Sequence, residues 1–164
     1  MKKLILLTIF ALTANFTNAQ WQQTNGPYGG NLRCLAVSGT NVFAGTWGYG
    51  LYLSIDNGSS WTAVNNGLTS TSVGSIAISG TSIFAGNGDG VFLSSNNGSS
   101  WTAVNNGLTN TSVWSLAISG TNIFAGTYYG GVFLSSNNGS SWTAINNGLP
   151  INTSVFSFAM DGTN

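Results

Sequence analysis

Residues 54–61 of the chain read SIDNGSSW, and residues 94–101 and 135–142 both read SSNNGSSW. The tryptophans that end these segments, together with Trp21, follow one another at intervals of 40, 40 and 41 residues. The sequence between them repeats as well: the segment from Trp61 matches the segment from Trp101 at most positions, with one glycine inserted. A period of about 40 residues indicates that one supersecondary unit is copied along the chain.

Each copy is predicted to contain four short β-strands. In one full copy they cover residues 75–78, 83–85, 91–94 and 101–104, which are rich in β-branched and aromatic residues and bounded by Gly, Asn and Ser. Asn-Gly pairs, which occur twice per copy, supply the positive φ of tight turns. Four hairpin-linked strands per copy predict an all-β fold, a β-propeller of four-stranded antiparallel blades. The alternative is a β-solenoid, whose rungs are usually nearer about 20 residues.

The pattern Ser-x-Asp-x-Gly-x-x-Trp in residues 54–61 resembles the Asp-box, or BNR repeat, family of β-propellers. The resemblance covers the chain after Gln20 and extends to secreted bacterial sialidase-like propellers, xyloglucanases, sortilin-type receptors and photosystem II stability/assembly factors. It implies that the box is a fold element between the third and fourth strands of a blade. Two boxes carry Asn in place of Asp, and we expect their turns to survive with a weaker hydrogen bond. The matching residues are Ser54, Asp56, Gly58, Trp61, Ser94, Asn96, Gly98, Trp101, Ser135, Asn137, Gly139 and Trp142.

The number of copies predicts an incomplete propeller. Within a repeat region over 20–164, we expect full blades at about 32–66, 73–106 and 113–147 and a partial blade over 155–164, whose first strand begins at Val155. Trp21 is expected in the fourth strand of a further blade. Closed propellers have about four to eight blades. Two explanations stay open: a sequence that is incomplete at its C-terminus, and self-assembly of two chains into a six-bladed ring.

Residues 1–19 have the layout of a secretory signal peptide. Two lysines precede an apolar stretch over residues 4–12, and small residues stand three and one positions before the expected cleavage between Ala19 and Gln20. The apolar stretch is much shorter than the about 20 residues that span a bilayer. We therefore expect a secreted or cell-surface protein that is not inserted into a membrane after cleavage.

The charges exclude several classes of function. The chain has three Lys+Arg, three Asp+Glu and no His, so it lacks the basic surface that nucleic acid requires and the ligands of a His/Cys zinc site. The sialidases among the proteins that the chain resembles use three arginines, a Tyr–Glu pair and an Asp in catalysis. This chain has Arg33 alone and no Glu, so the resemblance does not extend to that catalytic set. We therefore expect no catalytic residue, no enzymatic activity of this chain, and no cofactor or metal. Cys34 is interpreted as a small buried residue.

Positions at which the copies differ mark a candidate binding face. They fall in the loop between the second and third strands and at the entry to the first strand, where Arg33, Gly74, Trp114 and Phe156 occupy one position. In a propeller both places lie on the side opposite the boxes. Aromatic planes with a few polar groups bind sugar rings and peptides. The candidate ligand-binding residues are Arg33, Trp47, Tyr49, Asp89, Trp114, Tyr128 and Tyr129.

The sequence therefore predicts a secreted, non-catalytic propeller that acts as a binding scaffold for a glycan or protein ligand. A competing interpretation of the aromatic residues is that they fill gaps between blades and that the loops vary without function. Two other functions stay open. In the first, the chain is the N-terminal part of an extracellular glycoside hydrolase, sialidase-like or xyloglucanase-like. In the second, it is a cell-surface adhesin or assembly factor.

Overall fold

The computed structural model describes residues 26, 27 and 29–160. The predicted signal peptide, the strand at Trp21 and the last four residues of the partial blade lie outside these residues. Within the described part of the chain no helix is present, so none is long and apolar enough to cross a membrane. The strands are β1 (Asn31–Ser38), β2 (Asn41–Trp47), β3 (Leu51–Ser54), β4 (Thr62–Ala63), β5 (Val73–Ser79), β6 (Ser82–Asn87), β7 (Gly90–Ser94), β8 (Thr102–Ala103), β9 (Val113–Ser119), β10 (Asn122–Thr127), β11 (Gly131–Ser135) and β12 (Thr143–Ala144).

The strands form three antiparallel sheets in which spatial order follows chain order. We call β1–β4 blade 1, β5–β8 blade 2 and β9–β12 blade 3. Across blade 2 one row of paired residues runs from Ile76 to Ala85, Phe92 and Ala103. Each strand is joined to the next by a short connection rich in glycine and asparagine, which favours antiparallel hairpins. The predicted all-β propeller with three full four-stranded blades is confirmed, and the solenoid alternative is wrong.

The hydrophobic core lies between consecutive blades. One cluster joins blades 1 and 2 and includes Phe43 and Phe92, while the second joins blades 2 and 3 and includes Phe84 and Phe133. These four side chains are at most 2% exposed. Burial of a Phe side chain contributes roughly 1.5–3 kcal/mol, so packing between blades is the main stabilising contact of the fold.

The first strand of each blade packs on the blade before it, except in blade 1. Ile76 and Ile78 of β5 contact the core between blades 1 and 2. Their counterparts in β1, Leu35 and Val37, are 56% and 65% exposed. In blades 2 and 3 the preceding blade covers the apolar first strand. Among the described residues, no blade covers the first strand of blade 1.

The turns before Trp61, Trp101 and Trp142 share one hydrogen-bond pattern. In the first turn the hydroxyl of Ser54 accepts a hydrogen bond from the amide of Gly58 at 2.7 Å, and a carboxylate oxygen of Asp56 accepts one from the amide of Ser60 at 2.9 Å. The amide oxygen of Asn96 makes the matching contact with the amide of Ser100 at 3.0 Å. A short acceptor side chain thus closes the turn whether or not it is charged.

The indole rings of Trp101 and Trp142 join neighbouring blades. Each is 4% exposed, and each indole N–H donates to a carbonyl of the preceding blade, that of Val64 at 2.8 Å and that of Val104 at 2.7 Å. The indole N–H of Trp61 is buried and has no hydrogen-bond partner among the described residues. Equivalent tryptophans therefore stabilise the two blade interfaces that the structure describes, Trp101 between blades 1 and 2 and Trp142 between blades 2 and 3.

The strand expected to start the partial blade is not formed in residues 155–160. The amide of Val155 donates to the carbonyl of Thr127, and the ring of Phe158 lies 6.2 Å from that of Phe124. The segment thus packs on blade 3 in the way that β5 packs on blade 1 and β9 packs on blade 2. The ladder of a first strand is made with the second strand of its own blade, as β5 pairs with β6, so the partial blade over 155–164 stays a prediction.

Candidate ligand-binding site

The connections of the propeller lie on two opposite sides. The loop from β2 to β3 contacts the connection between blades 1 and 2, since the amide of Gly50 donates to the carbonyl of Thr71 at 2.6 Å. The amide of Tyr128 donates in the same way to the carbonyl of Ser112 at 2.9 Å. We call this side, with the second-to-third-strand loops and the connections between blades, the loop side. The opposite side, with the Ser-x-Asp/Asn turns, is the turn side.

A β-bulge at the start of each first strand directs one residue toward the loop side. Leu32 and Cys34 pair with consecutive residues of β2, so Arg33 is the extra residue of the bulge. Gly74 and Trp114 are the extra residues at the matching places in blades 2 and 3. Bulges re-aim a side chain without disrupting the rest of the ladder. The position occupied by Arg33, Gly74 and Trp114, at which the copies differ strongly in chemistry, is thus one that makes no regular pair in the sheet.

Five aromatic rings from blades 1 and 3 and the following segment form a continuous group on the loop side. The Trp114 ring lies at its centre, 5.6 Å from Trp47, 5.9 Å from Tyr128 and 5.8 Å from Phe156. The Tyr129 ring is 4.0 Å from that of Tyr128. The three separations around Trp114 are typical of interacting aromatic pairs. We call Trp47, Trp114, Tyr128, Tyr129 and Phe156 the aromatic cluster.

Polar contacts hold the cluster in place. The guanidinium of Arg33 lies 5.0 Å from the centre of the Trp47 ring, within the range of a cation–π interaction. The indole N–H of Trp114 donates to the hydroxyl of Ser112 at 3.0 Å. The hydroxyls of Tyr128 and Tyr129 are 3.1 Å apart, and this hydrogen bond, with the adjacent phenol, raises the pKa of Tyr128. The phenol of Tyr128 is therefore neutral at neutral pH, and Arg33 places one cation beside the cluster.

A small cavity opens between the two tryptophans. Blade 2 carries glycine where its neighbours carry large side chains: Gly74 at the position of Trp114, and Gly88 at the position of Trp47 and Tyr128. The missing side chains leave a space of about 100 Å³. It is lined by Trp47, Ser70, Ser72, Gly74, Asn87, Gly88, Ser112, Val113 and Trp114.

A repeated asparagine supports the loops of this side. The side-chain oxygen of Asn105 accepts from the amide of Val91 at 2.8 Å, and its amide group donates to the carbonyl of Asp89 at 3.0 Å. Asn65 and Asn146 make the matching contacts in blades 1 and 3. Sequence reasoning missed this role, although the Asn-Asn-Gly repeat was the available signal.

Besides Arg33, which lies against Trp47, two predicted site residues lie outside the aromatic cluster. The ring of Tyr49 lies against Gly29 and Gly30, so close that a Cβ atom on Gly29 would meet it at 2.8 Å. The carboxylate of Asp89 accepts a hydrogen bond from the hydroxyl of Thr69 at 2.7 Å and borders the cavity through its neighbour Gly88. Phe156 was not among the predicted residues, although it shares the sequence position of Trp114.

The described residues bring no group of three metal-ligating side chains together. Burial raises the pKa of the Cys34 thiol to about 12, and the sulfur contacts the carbonyl of Val73 at 3.8 Å. A thiol in this state is not a nucleophile at neutral pH. The chemistry available on the loop side is therefore stacking, apolar contact and hydrogen bonding.

Solved structures resemble the fold along most of the described chain. An ancestral GH74 enzyme is 28% identical with a TM-score of 0.56 over 71% of this chain and 19% of its own. The computationally designed protein Ika4 is 13% identical with a TM-score of 0.64 over 84% of each chain. YCF48 bound to D1 peptide is 14% identical with a TM-score of 0.62 over 73% of this chain and 40% of its own. This chain thus spans about a fifth of the GH74 enzyme and two fifths of YCF48.

A comparison with curated protein sequences gives no match. A sequence profile, in contrast, matches residues 12–164, nearly the whole chain, and describes the DUF6242 β-propeller domain. The profile agrees with the three antiparallel blades described above. The chain belongs to the DUF6242 β-propeller domain family.

Proposed function

We propose that the chain is a secreted, non-catalytic scaffold that binds a glycan or protein ligand on its loop side. The observation that carries this proposal is the aromatic cluster, because Trp47, Tyr128, Tyr129 and Phe156 are 39–59% exposed although each contacts another ring of the cluster. Contiguous exposed aromatic surface is uncommon on soluble proteins and marks binding sites.

The arrangement of charge supports a neutral ligand. Among the described residues, the carboxylates are Asp56 on the turn side and Asp89 beside the cavity, and Arg33 is the cation. A glycosidase needs two carboxyl groups about 5 to 9.5 Å apart across the scissile bond. Asp56 is engaged by Ser54 and Ser60 in its turn, so it is not the partner of Asp89 in such a pair. The aromatic rings supply binding without general acid–base chemistry.

We interpret the three turns before the tryptophans as Asp boxes. The support is their shared hydrogen-bond pattern, in which the serine hydroxyl and the Asp or Asn oxygen each accept a backbone amide. On this interpretation the boxes are fold elements and take no part in the ligand site. Secretion rests on the sequence of residues 1–19, and the mass of the exported protein tests cleavage after Ala19.

The proposal is tested by exposing the purified chain to an array of neutral oligosaccharides and to a display library of random peptides. We expect saturable binding to one of the two and its loss in the double variant Trp47→Ala/Tyr128→Ala. Tyr49→Ala is the matched control, because it removes an exposed ring from the same side but outside the cluster. Unchanged binding by the double variant, or no ligand in either collection, would contradict the proposal.

A second candidate function is supported by the likeness to the GH74 enzyme, which is 28% identical over 71% of this chain. On this alternative the chain supplies part of the substrate-binding surface of an extracellular glycoside hydrolase, and catalytic carboxylates are contributed by sequence outside residues 1–164. Hydrolysis of xyloglucan by the natural gene product, but not by the 164-residue chain, supports this alternative.

A further inference from the structure

We propose that the cavity between Trp47 and Trp114 anchors one apolar side chain, typically a proline ring, of an extended peptide. This inference deepens the proposed function and rests on it, since it assigns the ligand of the aromatic cluster to the class of proline-rich polypeptides. The observations that carry it are the size of the cavity, the chemistry of its lining and its position at the ends of strands.

The size of the cavity selects a side chain over a sugar ring. Its volume is about 100 Å³, whereas an engineered cavity that binds benzene has about 150 Å³ and ligand pockets usually exceed about 300 Å³. A pyranose with its hydroxyl groups is larger than benzene. It is therefore larger than the space that the cavity offers. A proline ring or a short aliphatic side chain matches the space.

The lining offers apolar contact, because most of its exposed surface is apolar. The hydroxyl of Ser112 accepts from the indole of Trp114, and the hydroxyl of Ser70 accepts from the amide of Ser72. The side chain of Asn87 accepts from the amide of Asp89 and donates to the carbonyl of Ser70. A hydroxyl-rich ligand finds little exposed polar surface there. An apolar side chain leaves none of its own groups without a hydrogen bond on entering, and it gains contact with two indoles.

The position of the cavity favours a polyproline II conformation of the bound peptide. It lies at the loop-side ends of β5, β6 and β9, where the ladders of blades 2 and 3 begin or end. β5 and β9 are edge strands of their sheets, but each is interrupted by a bulge at the cavity, at Gly74 and Trp114, which disfavours addition of a peptide as a further strand. Polyproline II segments need no ladder and dock between aromatic ridges. The exposed rings of Trp47 and Tyr128 supply such ridges.

Filling the cavity tests the proposal without removing an aromatic ring. A Cβ atom on Gly74 would meet its nearest neighbours at 3.7 Å, and one on Gly88 would meet nothing within 4 Å. Neither glycine has a positive φ, so both positions accept a larger residue without backbone strain. Gly74→Leu and Gly88→Leu therefore place an aliphatic side chain in or at the cavity. Thr102→Leu, on the outermost strand of the same blade, is the matched control.

Binding of a decaproline peptide is measured by the change in tryptophan fluorescence of the full chain, with cellohexaose as the glycan probe. We expect decaproline to bind saturably to the wild type and to Thr102→Leu, and about tenfold or more weakly to the two glycine variants. Thermal unfolding by circular dichroism verifies that each variant is folded. If Gly74→Leu does not fold, Gly88→Leu alone decides.

The outcomes separate this inference from the proposed function. Equal decaproline affinity of wild type and a folded cavity-filled variant overturns the cavity as the anchor. Binding of cellohexaose but not decaproline, abolished by Trp47→Ala/Tyr128→Ala, overturns the peptide assignment and leaves the proposed binding surface in place. Binding of decaproline that the double variant retains overturns both.

Discussion

The turn side and the loop side are built from the same repeat but use it in opposite ways. On the turn side the serine hydroxyls of the three blades accept a glycine amide at 2.7, 2.9 and 2.9 Å, so the copies are nearly superimposable in their contacts. On the loop side the matching positions carry Trp47, Gly88 and Tyr128, and only the supporting asparagines are constant. Uniform contacts stabilise the fold, and varied side chains on a uniform frame create a site.

The difference has a physical cause. Residues of the turn side bury tryptophan between blades, and a change there alters a packed interface. The bulge and the loops of the loop side end in solvent, where Trp47 is 43% exposed and forms the last pair of its ladder. Substitution is therefore tolerated on the loop side and not on the turn side. Function can vary there without loss of the propeller.

The sharpest test of this comparison replaces a tryptophan on each side by alanine. We expect Trp101→Ala to lower the free energy of unfolding by about 3–5 kcal/mol, because it empties a buried interface and removes the hydrogen bond to Val64. Trp47→Ala is expected to cost less than about 1 kcal/mol, as is usual for exposed positions. Urea unfolding followed by circular dichroism measures both. Equal destabilisation would show that the aromatic cluster is a structural core.

A pair of glycines gives the same comparison through the backbone. Gly67 has a φ of 93°, and a Cβ atom on it would overlap the carbonyl oxygen of Trp101 in the next blade. Gly67→Ala is therefore expected to destabilise the fold by about 1–3 kcal/mol. Gly88→Ala meets open space and is expected to be neutral or stabilising by up to about 1 kcal/mol. Thermal melts of both variants verify the order, and a more harmful Gly88→Ala would contradict it.

Much of the fold could be predicted from the sequence, because each copy of the repeat shows the same pattern of strands and turns. The alternation of strands and Asn-Gly turns gave the blades, and the disagreement between copies pointed to the loop side. Of the seven predicted site residues, the structure places Trp47, Trp114, Tyr128 and Tyr129 in the aromatic cluster, with Arg33 against it.

The remainder depends on geometry that a linear repeat does not contain. Tyr49 follows Trp47 by two residues, yet its ring is directed toward Gly29 and away from the cluster. The cavity arises from side chains that are absent, at Gly74 and Gly88, and its walls come from blades on either side. Contacts between a residue of blade 1 and one of blade 3 require the curvature of the propeller, which no single copy encodes.

The smallest expected effect concerns the one charged turn. Hydrogen bonds from the side chain and amide of Ser60, and from Ser54, lower the pKa of Asp56 from 3.8 to about 2. A carboxylate whose pKa is lower in the folded state stabilises the fold above the unfolded value and loses this contribution as pH falls through the folded value. Asp56 therefore contributes stability above about pH 4 that disappears between about pH 4 and pH 2. Melting temperatures measured from pH 5 to pH 2 should fall more steeply for the wild type than for Asp56→Asn.

The neutral turns provide the reciprocal change. Asn96 already accepts from the amide of Ser100, but its amide group donates to the hydroxyl of Ser100, whereas a carboxylate oxygen of Asp56 accepts from the hydroxyl of Ser60. A serine hydroxyl serves in either direction, so Asn96→Asp keeps the turn by reversing one hydrogen bond. It should add a second acid-labile turn and steepen the loss of stability below pH 4. Identical pH profiles for wild type, Asp56→Asn and Asn96→Asp would mean that charge in these turns is irrelevant to stability and that the turn side depends on tryptophan packing alone.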